Sequence, residues 1–459
     1  MSPRFGTDGV RGVANQDLTP ELAVALGRAL VAVLRPERVV VGRDTRRSGS
    51  MLESALAAGV CSAGAEVELL GVVPTPAVAR VAHSLPDTAG AMISASHNPF
   101  ADNGIKVFGC GGSKLSDKVE AQIEAHMHAL LGLSGETTEG SRTESPRPTA
   151  EAVGQVTIAS HRAQDWTDSI EASVTPGSLA ALHVVVDAAH GAASEWAAPI
   201  LTRLGATVTT MGDQPTGINI NAGVGSTAPA ALAAQVVAQG ADVGLAFDGD
   251  ADRLIAVDET GVIVDGDRVI GLLACDYAER GALNGNTVVV TVMTNLGFHL
   301  AMRQRGIDVV STQVGDRYVL AALDEHGYSL GGEQSGHVIC RDLGLTGDGV
   351  LTAVQLLDVV ARSGQPLSKL AGEFMTTIPQ VLFNIDLPER RETIVQELQG
   401  EITQVESEFG EDGRVLVRLS GTEPLLRVMV EHLDSATAEH AAQRLGDAAR
   451  RIMAIDGPS

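Results

Sequence analysis

The sequence predicts an α/β fold: three similar α/β domains with mixed sheets, followed by a smaller C-terminal α+β domain. Three observations carry this expectation. The chain has 459 residues, too many for one hydrophobic core, and roughly 100–150 residues per domain suggests three or four domains. Strand-like and helix-like segments alternate through most of the chain, as expected for sheets covered by helices. From about residue 372 the order changes to strands and helices of a separate α+β pattern.

The elements follow in order. Thr19 can cap a helix with Pro20 at its first position, and Leu22, Leu26, Leu30, Val33 and Leu34 then share one face. VVVG (39–42) reads as a buried strand, followed by a helix from about Ser48 toward Gly64. VELLG (67–71) and AMISA (91–95) read as further strands. Residues 134–150, polar and rich in Pro, Gly and Ser, look like a surface connection. LHVVVDAAHG (182–191) opens a second strand–helix series that runs to VGLAFDGDAD. A third series begins with the hairpin-like LIAVDETGVIV and ends in an amphipathic helix over 347–364, stopped at Gly364. In the last stretch QVLFNIDL, RVLVRLS and LRVMVEHL are strands, with helices near 388–409 and 435–454. The expected domains are therefore 1–150, 151–252, 253–370 and 371–459.

Composition narrows the function. Hydrophobic residues make up 44% and charged residues 20%, a globular balance. A formal net charge of −24 repels polyanions, so neither nucleic acid nor an anionic membrane is an expected partner. An anionic substrate then requires basic residues gathered in one place. Cys61, Cys110, Cys275 and Cys340 lack CxxC pairing and read as reduced thiols of a cytoplasmic protein. No apolar signal segment or membrane-length apolar run occurs.

Four segments carry chemistry. In SASHNPFADNGIKVF (94–108), Ser96 follows a buried strand, His97 sits beside it, and Lys106 begins the next apolar run. Ser96 reads as a nucleophile or as the capping serine of an ordinary turn. In FDGDADR (247–253), Asp248, Asp250 and Asp252 alternate with small residues. In an extended loop such carboxylates turn toward one hard cation. An EF-hand is excluded because Arg253 stands where glycine is needed and strand-like segments flank the loop. With few protein ligands and a phosphate nearby, Mg²⁺ is the natural ion. GGEQSGH (331–337) suggests a flexible loop presenting Glu333, Ser335 and His337 to hydroxyls or an amine, or else a plain strand-end turn. RLSGTEPLLR (418–427) offers Ser420, Gly421 and Thr422 between Arg418 and Arg427, a phosphate cradle without a Walker lysine. GTDGVRG (6–12) and VGRDTRRSG (41–49) add Arg11 and Arg43 on Gly-rich loops. Any one such arginine is more often a solvated surface charge than a ligand, and several such loops in one chain shift that balance.

Taken together, GTDGVRG, SASHNPF.DNGIK, DGDADR, GGEQSGH and R.SGTEP, in this order, resemble the α-D-phosphohexomutase family over essentially the whole chain. The GTDGVRG and ISASHNPF wordings and Gln334 of the sugar loop point to its glucosamine branch. The resemblance implies four domains around a central cleft. It implies phosphate carried on Ser96, and Mg²⁺ held by Asp248, Asp250, Asp252 and a phosphoserine oxygen. Arg11, Lys106, Arg253 and His337 would line the reaction centre. Glu333 and Ser335 would hold the sugar, and Arg418, Ser420, Gly421, Thr422 and Arg427 the non-reacting phosphate. The implied reaction interconverts glucosamine 6-phosphate and glucosamine 1-phosphate through glucosamine 1,6-bisphosphate, toward UDP-N-acetylglucosamine and cell-wall precursors. A phosphorylated amino sugar is thus the expected substrate. An activating kinase is one source of the first phosphoryl group, and a monomer or homodimer is the expected state. Three competing readings remain: a glucose or mannose phosphomutase, an aspartyl phosphatase using Asp248, and a sugar-phosphate-binding regulator. Leu419 and Cys110 depart from the motifs without removing a functional group.

Overall fold

Thr19 accepts a hydrogen bond from Leu22 N and Pro20 opens the helix Pro20–Leu34, so the first helix starts where its capping residues place it. Its Leu22, Leu26 and Leu30 are buried against the helix Gly49–Ser62. The two helices approach closely because neither has a side chain at the crossing. A methyl on Gly27 would lie 2.5 Å from Leu56 O, and one on Gly59 would lie 2.3 Å from Val24 O. Gly59→Ala must push the helices apart, and we expect a loss of about 1–3 kcal/mol, read as a lower urea midpoint with an unchanged slope.

The computed structural model describes residues 5–6, 9–133, 147–387, 391–419 and 425–455. Most of the polar connection expected at 134–150 lies outside the described residues. The first sheet has seven strands in the spatial order Phe5–Gly6, Gly9–Val13, Asp102–Phe108, Thr88–Ile93, Arg38–Arg43, Glu66–Val72 and Val156–Ile158. The central Thr88–Ile93 is buried along its whole length, as a strand covered on both faces must be. It runs parallel to Arg38–Arg43 and antiparallel to Asp102–Phe108, which makes the sheet mixed. The second sheet orders Ile263–Val264, Leu254–Asp258, Val243–Phe247, His183–Asp187 and Thr207–Met211. The third orders Asp308–Thr312, Thr287–Thr291, Leu330–Gly332 and Val338–Cys340.

Two boundaries differ from the expected ones. Leu254–Asp258 pairs antiparallel with Val243–Phe247 in full register, so the segment from Arg253 to Val264 completes the second sheet rather than opening a third unit. The acidic loop is thus the turn of a hairpin. Val156–Ile158 likewise extends the first sheet beyond residue 150, because its backbone pairs with Glu66–Val72.

Residues 1–291 with 310–371 form one compact unit and residues 292–309 with 372–459 form another. In the second unit, Leu425–His432 lies between Gln380–Asp386 and Gly413–Leu419 in an antiparallel sheet. Helices Gln399–Phe409 and Ser435–Ile455 cover it, burying Ile402, Val405, Ala438 and Leu445 with Val428 and Val430. This is the smaller α+β element that the C-terminal pattern predicts.

In the first unit, the helix Gly349–Ser363 is capped by Asp348, which accepts from Leu351 N at 2.9 Å and from Trp166 Nε1 at 2.7 Å. Burial pushes Asp348 up from 3.8 to about 6, against the stabilising effect of those hydrogen bonds. The folded chain therefore holds a proton there between about pH 4 and 6 that the unfolded chain releases, so stability falls as pH rises through that window and is level above it. Asp348→Asn removes the charge but keeps only one of the two oxygens, so either Leu351 N or Trp166 Nε1 loses its acceptor. We expect it to flatten this slope and to cost about 1–3 kcal/mol at pH 4, where the native carboxyl is neutral, with a smaller loss at pH 7.5, measured by urea unfolding at both values.

Candidate active site

Ser96 lies just beyond the strand Thr88–Ile93, buried, with φ at +52°, a left-handed conformation that a serine adopts only when its surroundings hold it. Its Oγ donates to Asp248 Oδ2 at 2.5 Å and lies 3.3 Å from His97 Nδ1. Asp248, Asp250 and Asp252 occupy the hairpin turn after Val243–Phe247, are all buried, and present ligand oxygens within 4.8 Å of one another.

The trio is only partly neutralised. Lys106, on the strand Asp102–Phe108, donates to Asp250 Oδ2 at 2.8 Å and to Asp252 Oδ2 at 3.0 Å. Thr75 Oγ1 donates to the same Asp250 oxygen at 2.5 Å. Asp250 Oδ1 and Asp252 Oδ1 are buried and accept no hydrogen bond from the described residues. Orphaned carboxylate oxygens are costly in a dry interior, and a hard divalent cation is what such oxygens take up. The donor set therefore fits a divalent cation. Burial, then repulsion from Asp252 and Asp250, raises Asp248 well above the usual carboxylate range. At Asp252 burial opposes the charge, but Lys106, His337 and Arg253 hold it well below that range.

The third sheet brings His337 to the same place. Glu333 N donates to His337 O and Gly336 N to Glu333 O, both at 2.9 Å, so GGEQSGH is a tight turn between two antiparallel strands rather than a flexible loop. His337 is buried, with Nδ1 at 3.7 Å from Asp252 and Nε2 at 3.4 Å from Asp316. Burial works against its positive charge, yet Asp252 and Asp316 prevail and raise its pKa. Arg253 pairs with His337 through a backbone bridge and donates its N–H to Asp248 Oδ1 at 3.2 Å. Burial, with Arg253 and Arg11 nearby, lowers His97 to about 4.

Arg11 lies on the strand Gly9–Val13, opposite Gly104, and not on a loop as expected. Arg43 turns to Glu53 at 3.3 Å, and the arginine of that segment that reaches Ser96 is Arg46. Glu333 accepts from Gly315 N at 3.0 Å, and Ser335 is exposed on the same turn. Ser96, Lys106, the three aspartates, Arg253 and His337 are thus assembled from three sheets of one unit. In the other unit Arg418 and Arg427 stand opposite each other on adjacent strands. Burial and the charge of Arg427 lower the pKa of Arg418. Ser420, Gly421 and Thr422 lie outside the described residues. Sequence reasoning missed Thr75, Arg46, Asn221 and Asp316, because their partners are remote along the chain.

The chain is similar to known proteins along nearly its whole length. The phosphoglucomutase/phosphomannomutase α/β/α domains I, II and III match residues 2–131, 164–261 and 265–378, and the family's C-terminal domain matches 382–448. The phosphoglucosamine mutase of Geobacillus kaustophilus is 48% identical over 99% of this chain and 100% of its own length. That of Streptomyces avermitilis is 50% identical over 99% and 100%. A phosphoglucomutase/phosphomannomutase family protein of Burkholderia thailandensis superposes with a TM-score of 0.79 at 25% identity, covering 99% of this chain and 98% of the other. With a serine hydroxyl set against a buried carboxylate trio and matches along nearly its whole length, this chain belongs to the phosphoglucomutase/phosphomannomutase family, the α-D-phosphohexomutases, and is an enzyme of intramolecular phosphate transfer.

Proposed function

We propose that the enzyme interconverts glucosamine 6-phosphate and glucosamine 1-phosphate through phosphorylated Ser96 and glucosamine 1,6-bisphosphate. The observation that carries this is the 2.5 Å hydrogen bond from Ser96 Oγ to Asp248, beside the orphaned oxygens of Asp250 and Asp252. The amino sugar is favoured by the full-length relatives at 48–50% identity, which bear the name phosphoglucosamine mutase.

In this reading the bond between Ser96 Oγ and phosphorus breaks while one forms to the free sugar oxygen. The proton of that hydroxyl passes to a basic neighbour of Lys106, whose own Nζ is already a donor to Asp250 and Asp252. The bisphosphate then turns over, and Ser96 Oγ takes the other phosphoryl group as the sugar oxygen recovers a proton. Asp248, Asp250, Asp252 and a serine phosphate oxygen would hold Mg²⁺, which would offset charge on the phosphate. Arg11, Arg253 and His337 complete the positive lining, and burial of the centre limits loss of phosphate to water. Glu333 and Ser335 are assigned to the sugar. Arg418, Ser420, Gly421, Thr422 and Arg427 are assigned to the phosphate that does not react. A kinase or free bisphosphate would supply the first phosphoryl group.

The test compares kcat/KM for glucosamine, glucose and mannose phosphates on the Mg²⁺-loaded, phosphorylated enzyme. We expect the amino sugar to lead by about tenfold or more, since an amine paired in a polar site discriminates strongly against its absence. Equal or better turnover of glucose 6-phosphate would reassign the substrate.

A further inference from the structure

The motif VGRDTRRSG has no part in the chemistry above, yet its Arg46 is wholly buried against the loop that carries Ser96. Its Nη2 donates to Ser96 O at 2.9 Å and to Asn98 O at 2.8 Å. Its Nη1 donates to Asp102 O at 3.0 Å and also to Pro99 O. Nε is held by Asp44 Oδ2 at 2.8 Å. Asp44 also accepts from Ser94 Oγ at 2.6 Å, and that oxygen accepts from Ser96 N at 2.9 Å. Both backbone polar groups of Ser96 are therefore tied to one buried ion pair.

A second donor reaches the same carbonyl from the loop that follows Thr207–Met211, the edge strand of the second sheet. Asn221 Nδ2 donates to Ser96 O at 2.8 Å and to Asn98 O at 3.1 Å. The Arg46 segment is anchored to that side as well, through Thr45 Oγ1 to His190 O at 2.5 Å and Arg47 N to Gly217 O at 2.8 Å. The clamp thus spans the first sheet, which carries the serine, and the second, which carries the aspartates.

We infer that Arg46 and Asn221 are positioning residues for phosphoryl transfer. By holding Ser96 O, they keep the loop in the left-handed turn that aims Oγ at Asp248. Ser96 at φ +52° is disfavoured on its own. Donors converging on its carbonyl from loops beyond the first and second sheets stabilise that conformation and align nucleophile with carboxylates. The inference rests on the phosphoserine reading above.

The test uses full-length Asn221→Gly and Arg46→Lys, phosphorylated and with Mg²⁺. Asn221 itself has φ +57°, which glycine adopts freely, so Asn221→Gly removes the side-chain donor and little else. Arg46→Lys keeps the charge beside Asp44 but loses the planar fork. We expect kcat per phosphorylated molecule, counted by intact mass, to fall about 10- to 100-fold, with KM for glucosamine 6-phosphate within about twofold. A merely structural role predicts a lower melting temperature with kcat per phosphorylated molecule unchanged, and that result in Asn221→Gly overturns the inference. Should Arg46→Lys not fold, Asn221→Gly decides alone. Ser96→Ala separates the two claims: an inactive Ser96→Ala beside a fully active Asn221→Gly refutes the clamp only, whereas an active Ser96→Ala refutes the phosphoserine and the clamp with it.

Discussion

Ser96→Ala is expected to lose the mass of one phosphoryl group and to lower mutase turnover by on the order of 10⁴-fold or more, as removal of a covalent nucleophile does. The fold should survive. Ser96 Oγ makes one side-chain hydrogen bond to a carboxylate, at Asp248 Oδ2. Alanine removes that one hydrogen bond and little volume, so the expected loss of stability is about 1–3 kcal/mol, visible as a small shift in melting temperature. The direction matters for the aspartyl phosphatase alternative, in which Asp248 is the nucleophile. That chemistry would leave Ser96→Ala active and phosphate-bearing, and Asp248→Asn dead. Intact mass and turnover of both variants therefore tell the two apart in one experiment.

Chelation should have the second large effect, on both activity and stability. The buried trio of Asp248, Asp250 and Asp252 has Lys106 as a close cationic partner, and two of its oxygens accept no hydrogen bond from the described residues. A divalent ion binds this arrangement in the folded chain alone, since the unfolded chain does not bring the carboxylates together. Mg²⁺ at about 100 times its dissociation constant should thus add about 2.7 kcal/mol to unfolding and raise the melting temperature. Stripping it should reduce turnover by about 10³-fold, restored on readdition. Asp250→Asn should blunt the thermal response. If the stripped protein melts at one temperature with and without Mg²⁺, the metal assignment is wrong whatever the activity shows.

Local pattern made much of the fold legible. Thr19 and Pro20 set the first helix, Gly364 stops the helix Gly349–Ser363, and apolar runs such as VVVG and VGLAF became buried strands. Each depends on neighbours within a turn or a pleat. The 252/253 boundary went astray for a related reason. Strand-like runs on either side of a loop look alike whether they belong to one sheet or to two, and only the hydrogen-bond register between Val243–Phe247 and Leu254–Asp258 decides it.

The site divides in the same way. Asp248, Asp250 and Asp252 suggest a cation through their spacing, whereas a serine at a strand end with a histidine beside it reads as a nucleophile or as an ordinary capping serine until the fold sets it against Asp248. Arg43, Arg46 and Arg47 are alike in the sequence, yet only folding turns Arg43 to Glu53 and Arg46 to the serine loop. Thr75 and Asn221 carry no signal at all, because the groups they serve lie 175 and 125 residues away. By itself the sequence determined which chemical groups are present and which short segments display them, since those depend on identity and local backbone preference. The tertiary structure alone decided which groups meet, since hydrogen bonds and buried charge act over a few ångströms whatever their separation along the chain.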